Sequence, residues 1–185
     1  MATDVGIVEK ILVLHRALDG ARFSHAFGGA LALAWCTEQA RGTVDIDVNV
    51  FVDQQLADAV LRSLPSDVAW SESDVAMCRR DGQVRLHWGA TPVDIFMNTT
   101  DFHLAAADRA VMHEFAGHDI PFLSCSDLAV FKAFFNRARD WGDLDEMVRA
   151  GTFEADLAIG ALVHYLGADD ERVEKLTTLL RRRSS

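Results

Sequence analysis

Apolar and polar positions alternate most regularly in "TVDIDVNVFV", residues 43–52, where Val44, Ile46, Val48, Val50 and Val52 share one side of an extended chain. A period of two is the signature of a strand with one buried face. "TPVDIFMN", residues 91–98, repeats the pattern with Val93 and Ile95 on one side. "SHAFGGALALAW" predicts a short strand that runs into Gly28-Gly29 and then a helix. Helical spacing of Val5, Val8, Ile11, Leu12 and His15 predicts an amphipathic first helix rather than a leader segment, and "DQQLADAVLRSL" a second from near Asp53.

Further along, short strands are expected at 75–79 and 84–88, joined through Asp81-Gly82, a strong hairpin dipeptide. "DFHLAAADRA" reads as a short helix, and "VMHEFAGHDIPFL" as a hairpin turning near Gly117. From Ser124 onward the pattern is helical, with Ser124 and Asp127 spaced as a capping box and two more helices near 154–166 and 169–182. The fold class is therefore α/β (α+β), a mixed sheet flanked by helices and followed by a helical bundle. The expected division is an α/β core over residues 1–123 and a C-terminal helical region over 124–185.

Composition narrows the classes. Of 185 residues half are hydrophobic, enough for a genuine core, and neither low complexity nor a Pro/Gly excess suggests disorder. No apolar run reaches the roughly eighteen residues of a membrane helix. Cys36, Cys78 and Cys125 lack metal-ligand spacing and read as small buried residues of a reducing, cytoplasmic compartment. The net charge of −10 opposes extended DNA binding, which needs dense Lys and Arg against phosphates.

Two aspartates break the apolar strand at 43–52. Asp45 and Asp47 lie two apart, on the face opposite the valines and about 6.5–7 Å from one another along the chain. Asp94 stands alone among the apolar residues of "PVDIF". If the two strands pair, three carboxylates meet on one patch, and unpaired buried charge of that kind costs several kcal/mol per group, on the order of the penalties for buried ions. Divalent cations are the natural counterions, and an all-oxygen donor set selects Mg²⁺ or Mn²⁺. Gly28-Gly29, between strand and helix, exposes backbone N–H groups of the kind that hold phosphate.

"FGGALALAWCTEQARGTVDIDVNVFV" resembles the signature of the DNA polymerase β-like nucleotidyltransferases, a Gly-Gly turn followed by Asp-x-Asp. The form Arg41-x-Thr43-x-Asp45-Ile-Asp47 is similar to the small bacterial branch that includes AbiEii-type toxins. "PFLSCSDLAVFKAFFNRARDWGDLDEM" resembles that branch's helical segment through Lys132, Arg137, Arg139, Asp140 and Asp143. The resemblance spans roughly residues 25–150. It implies transfer of a nucleoside monophosphate from an NTP donor to a hydroxyl of RNA, protein or a small molecule. Asp45, Asp47 and Asp94 would be the catalytic carboxylates and hold two Mg²⁺ ions. Gly28, Gly29, Arg41, Thr43 and Lys132 would contact the nucleotide, and an antitoxin protein is the partner that the branch implies. Ala30 departs from the Ser or Thr found after the glycines in many relatives, so one hydroxyl-to-phosphate contact is missing.

Plainer readings stand beside these. Arg41 could pair with Glu38. Lys132 shares a helix with an expected core stripe of Leu128, Phe131 and Phe135, where a solvated lysine would look the same. A salt-bridged helix junction accounts for Arg137, Arg139, Asp140 and Asp143, so Arg137 and Asp140 are only secondary candidates. "HEFAGH" is not a zinc motif, since His113 and His118 are five apart with Gly117 between them. His25, His87 and His103 show no partner in the sequence.

Overall fold

The computed structural model describes residues 5–39 and 42–183. In chain order the elements are α1 (Ile7–Gly20), β1 (His25–Phe27), α2 (Gly29–Thr37), β2 (Ile46–Asp53), α3 (Ala57–Ser63), β3 (Val68–Ala69), α4 (Glu72–Asp81), β4 (Gln83–Trp88) and β5 (Thr91–Asn98). Then follow α5 (Asp101–Ala106), β6 (Val111–Phe115), β7 (His118–Phe122), α6 (Cys125–Phe135), α7 (Ala138–Ala150), α8 (Ala155–Leu166) and α9 (Glu171–Arg183). These residues fall into two compact units, one within Met1–Leu31 and Gly42–Phe122, the other within Ala32–Arg41 and Leu123–Ser185.

The first unit holds a seven-stranded mixed sheet in the order β3-β4-β5-β2-β1-β7-β6. β2 runs parallel to β5 and antiparallel to β1, while β4 and β5 form an antiparallel hairpin. One face is apolar throughout its centre: Val84 and Leu86 on β4, Val93, Ile95 and Met97 on β5, and Ile46, Val48 and Val50 on β2 are all buried. Cys78 on α4 reaches Met97 with its Sγ 3.4 Å from the thioether sulfur, which places α4 against this face. Burial pushes the Cys78 thiol up to about 11, so it is a core residue rather than a nucleophile. Lys10 of α1 is also buried; its Nζ donates to the Trp88 carbonyl at 3.1 Å and to Thr91 Oγ1 at 2.9 Å, tying the helix to the β4–β5 turn.

The expected strand at 75–79 is instead the body of α4. Ser71 and Asp74 form a capping box at its start, satisfying backbone donors that a strand would have left for a neighbour. Gly82 ends it: at φ 68° its N–H donates to the Cys78 carbonyl at 2.8 Å, and an added Cβ would lie 2.1 Å from Thr99 Cγ2. Asp81-Gly82 is thus a helix C-terminus, and the hairpin turn lies at Gly89-Ala90. The hairpin at Gly117 is present as expected, between β6 and β7. Val44, expected on the core face, precedes β2 and is 80% exposed.

The second unit is helical. α6 packs against α7 and α8, and α9 against both of these. Leu128, Ala129, Val130 and Ala133 of α6 meet a core that includes Leu144 and Met147 of α7, Leu162 of α8 and Leu176 of α9. The stripe expected through Phe131 and Phe135 is rotated from this one, for Phe135 is exposed and Lys132 is buried. Ser124 caps α6 as expected, accepting from the Asp127 backbone N–H at 3.1 Å. Cys36 and Cys125 are joined in a disulfide between α2 and α6, so two of the cysteines are not the free thiols the sequence suggested. Among the described residues no helix is long and apolar enough to cross a membrane.

Candidate active site

The site is built on one row across the sheet. Asp47 of β2 is paired with Asp94 of β5 in parallel register, and Asp94 with Arg85 of β4 in antiparallel register. Directly paired residues put their side chains on the same face. On the other side of Asp47 lies the end of β1, where the Gly28 N–H donates to the Asp47 carbonyl at 2.9 Å. The row therefore reads Arg85, Asp94, Asp47, Gly28, on the face opposite the apolar core.

Gly29 begins α2 at φ 54°, a left-handed conformation that side chains adopt only at a cost. A Cβ there would stand 1.9 Å from Asp47 Oδ2 and 2.6 Å from its Cγ. The glycine is thus a cradle for the Asp47 carboxylate as well as the first residue of a helix. Positive dipole and exposed backbone donors meet a carboxylate at that point.

Asp45 sits just before β2. Thr43 Oγ1 stands 2.9 Å from Asp45 Oδ1 and 2.7 Å from the Asp45 carbonyl, so the threonine orients the aspartate. The cation among these acids is Arg85, which the sequence did not reveal. Its Nε–H donates to Asp94 Oδ1 at 2.8 Å and its NH2 group to Asp94 Oδ2 at 2.6 Å, a two-pronged pair. The same NH2 group lies 3.8 Å from Asp45 Oδ2. The hydrogen bonds that Asp94 accepts, then the charges of Asp94, Asp45 and Asp47, push the Arg85 pKa above its ordinary range.

The three acids, Asp45, Asp47 and Asp94, offer carboxylate oxygens, a donor type that suits a hard divalent cation. Asp47 and Asp94 are adjacent on one face, and Asp45 is drawn towards them through Arg85. Among the described residues no group of three or more His, Cys, Asp or Glu side chains is already gathered to hold a metal ion.

Lys132, Arg137 and Asp140 gather in the helical unit. Lys132 Nζ lies 2.7 Å from Asp143 Oδ2 and 3.9 Å from Asp140 Oδ1. Asp140 is buried and accepts from the Arg137 backbone N–H at 3.2 Å and from its Nε–H at 2.6 Å, closing a capping box at the start of α7. Arg41 lies outside the described residues. His25 proves to have a partner: its Nε2 is 2.9 Å from His15 Nδ1, with its own Nδ1 2.9 Å from the Phe23 carbonyl.

Three solved structures share this architecture over nearly the whole chain. The solution structure of the antibiotic-resistance factor ANT(2'')-Ia is similar at 18% identity and TM-score 0.51, over 98% of this chain and 95% of that one. The crystal structure of ANT(2'')-Ia in complex with adenylyl-2''-tobramycin is similar at 16% identity and TM-score 0.51, over 96% and 98%. An antigenic nucleotidyltransferase-like protein from Paracoccidioides brasiliensis is similar at 15% identity and TM-score 0.52, over 95% and 88%.

This is a nucleotidyltransferase fold. Within that fold the Gly-Gly turn and the paired aspartates of β2 and β5 stand side by side. No protein-family model and no curated protein matches the sequence.

Proposed function

We propose that the chain is a metal-dependent nucleotidyltransferase, moving a nucleoside monophosphate from an NTP to an acceptor hydroxyl and releasing pyrophosphate. One observation carries the reading: Asp47 and Asp94 are register partners beside Gly28-Gly29, and Gly29 leaves no space for a Cβ against the Asp47 carboxylate. A surface strand with two solvated aspartates would not require that close approach.

Asp45, Asp47 and Asp94 would hold Mg²⁺ or Mn²⁺, two ions in the full site. Bound there, the metal supplies charge stabilisation to the oxygens of the attacked phosphate and lowers the pKa of the acceptor hydroxyl. The protein's own part is orientation. Gly29 offers its backbone donor to the donor nucleotide's phosphates at the start of α2, while Gly28, whose N–H is held by the Asp47 carbonyl, fixes the turn against β2. Thr43 fixes the Asp45 carboxylate, and Asp94 receives the proton of the attacking hydroxyl. Arg41 and Lys132 are nucleotide contacts on sequence resemblance alone. The Lys132 charge is already paired with Asp143, which accounts for its burial without a nucleotide.

For the acceptor, the resemblance to AbiEii-type enzymes favours RNA or a protein, with an antitoxin as partner. A small cationic acceptor is a second reading. The net charge of −10 favours it, as does likeness in fold to an enzyme seen with adenylyl-2''-tobramycin. Incubation with each α-³²P-labelled NTP and Mg²⁺, in the presence of total RNA, cell protein and a panel of aminoglycosides and other amino sugars carrying hydroxyl groups, separates the two. Label should appear in one class of acceptor with wild type and in none with Asp47→Asn. Transfer that survives Asp47→Asn would exclude the proposed site.

A further inference from the structure

Arg85 occupies both oxygens of Asp94 with a two-pronged guanidinium and reaches Asp45 with the same NH2 group at 3.8 Å. The carboxylates it engages are more enclosed than it is: Asp94 is 14% exposed and Asp45 25%, whereas the Arg85 side chain is 53% exposed. Its neighbours along the same side of β4, Gln83 and His87, are exposed too. A side chain so placed enters the acidic row from the open side of the sheet and can leave it without disturbing the core.

From this we infer that Arg85 is a built-in counterion that stands in for the metal, and that metal loading exchanges it off Asp94. The inference rests on the proposed metal reading of Asp45, Asp47 and Asp94. A guanidinium on both Asp94 oxygens and a divalent cation on the same carboxylate would set like charges within a few ångströms, so the two compete for one acid. The consequence for the protein without metal is that Asp94 and Asp47, adjacent on one face, are kept from repelling one another. Metal affinity is correspondingly lowered, which makes Arg85 a positioning residue for the site. Lysine could not take its place in full, since an ammonium is a point charge without the planar fork that engages both oxygens.

Binding of Mn²⁺ alone to the full chain, read by the loss of the free-ion EPR signal, tests this without any turnover. Arg85→Gln is expected to bind Mn²⁺ about tenfold more tightly than wild type, the size of effect that outer partners exert on metal sites. Arg85→Lys should fall between the two. Without metal Arg85→Gln should melt below wild type, and Mn²⁺ should raise its melting temperature by more. Asp47→Asn should abolish the Mn²⁺ site in both backgrounds. If binding depends on Asp47 but Arg85→Gln leaves it unchanged or weakened, Arg85 supports the ligands rather than competing for them. The inference is then overturned while the metal reading stands. If no variant shows Asp47-dependent Mn²⁺ binding, the metal reading falls and takes the inference with it.

Discussion

Gly29 and Asp47 leave each other no room: a methyl group on the glycine would sit 1.9 Å from Asp47 Oδ2. The contact joins the two halves of the sequence signature, the Gly-Gly turn and the Asp-x-Asp strand, into one physical object. Gly29→Ala must either displace the Asp47 carboxylate or shift the start of α2. The left-handed backbone at φ 54° adds strain on the order of 1–3 kcal/mol. Nucleotide binding is expected to be lost in this variant together with that much stability, measured by calorimetric titration beside urea unfolding.

The imidazoles of His15 and His25 share one hydrogen bond at 2.9 Å, and at most one of the two nitrogens can carry the bridging proton. Burial pushes the His25 pKa below its ordinary 6.5, opposed by its backbone bond to Phe23 and reinforced by His15; burial likewise lowers that of His15. A depressed histidine pKa means that the unfolded chain binds protons more readily. The pair therefore stabilises the fold fully above about pH 6.5 and less as pH falls through the folded-state values. Urea midpoints measured from pH 8 to pH 5 should drop below pH 6.5, and His25→Gln should flatten that slope.

Lys132 is buried with Asp143 at 2.7 Å, so removing it strands a carboxylate that has little access to water. Lys132→Ala is expected to cost about 3–5 kcal/mol, the usual consequence of breaking an enclosed ion pair. Asp140→Ala should be comparably destabilising, because Asp140 caps α7 and pairs with Arg137. Unfolding curves for the two variants, read beside nucleotide affinity, distinguish a structural lysine from a phosphate contact. A variant that keeps its stability but loses nucleotide would reverse that assignment.

The Cys36–Cys125 disulfide closes a sequence separation of 89 residues and links the helix that starts at the Gly-Gly turn to α6. Long loops give the larger disulfide contributions, about 2–4 kcal/mol being typical. Reduction, or Cys36→Ser, should lower the unfolding free energy by that amount; Cys36→Ser should then be indifferent to reductant, while Cys78→Ala, which keeps the disulfide, should respond to reductant as wild type does.

What the sequence disclosed and what it hid follow from how far each signal reaches along the chain. β2, β5 and the strand–Gly-Gly–helix turn were legible because period-two alternation and a paired glycine are local patterns. Asp45, Asp47 and Asp94 stood out for the same reason, as charges within apolar strands. Arg85 was hidden by one misread dipeptide. With the turn assigned to Asp81-Gly82, β4 had no register against β5; with the turn at Gly89-Ala90, Trp88 meets Thr91 and Arg85 falls opposite Asp94. The disulfide was hidden because no local spacing joins Cys36 to Cys125. The burial of Lys132 was hidden because aromatic spacing suggested a core stripe through Phe131 and Phe135, whereas tertiary packing selected Leu128, Ala129 and Ala133.

Titration of each NTP into the protein with and without Mg²⁺ tests most directly whether the Asp47–Asp94 pair is a metal and phosphate site. Wild type should bind a nucleotide only when Mg²⁺ is present, and Asp47→Asn should lose that binding while melting at or above the wild-type temperature. Nucleotide binding indifferent both to Mg²⁺ and to Asp47→Asn would contradict the metal site, and with it the proposed reaction.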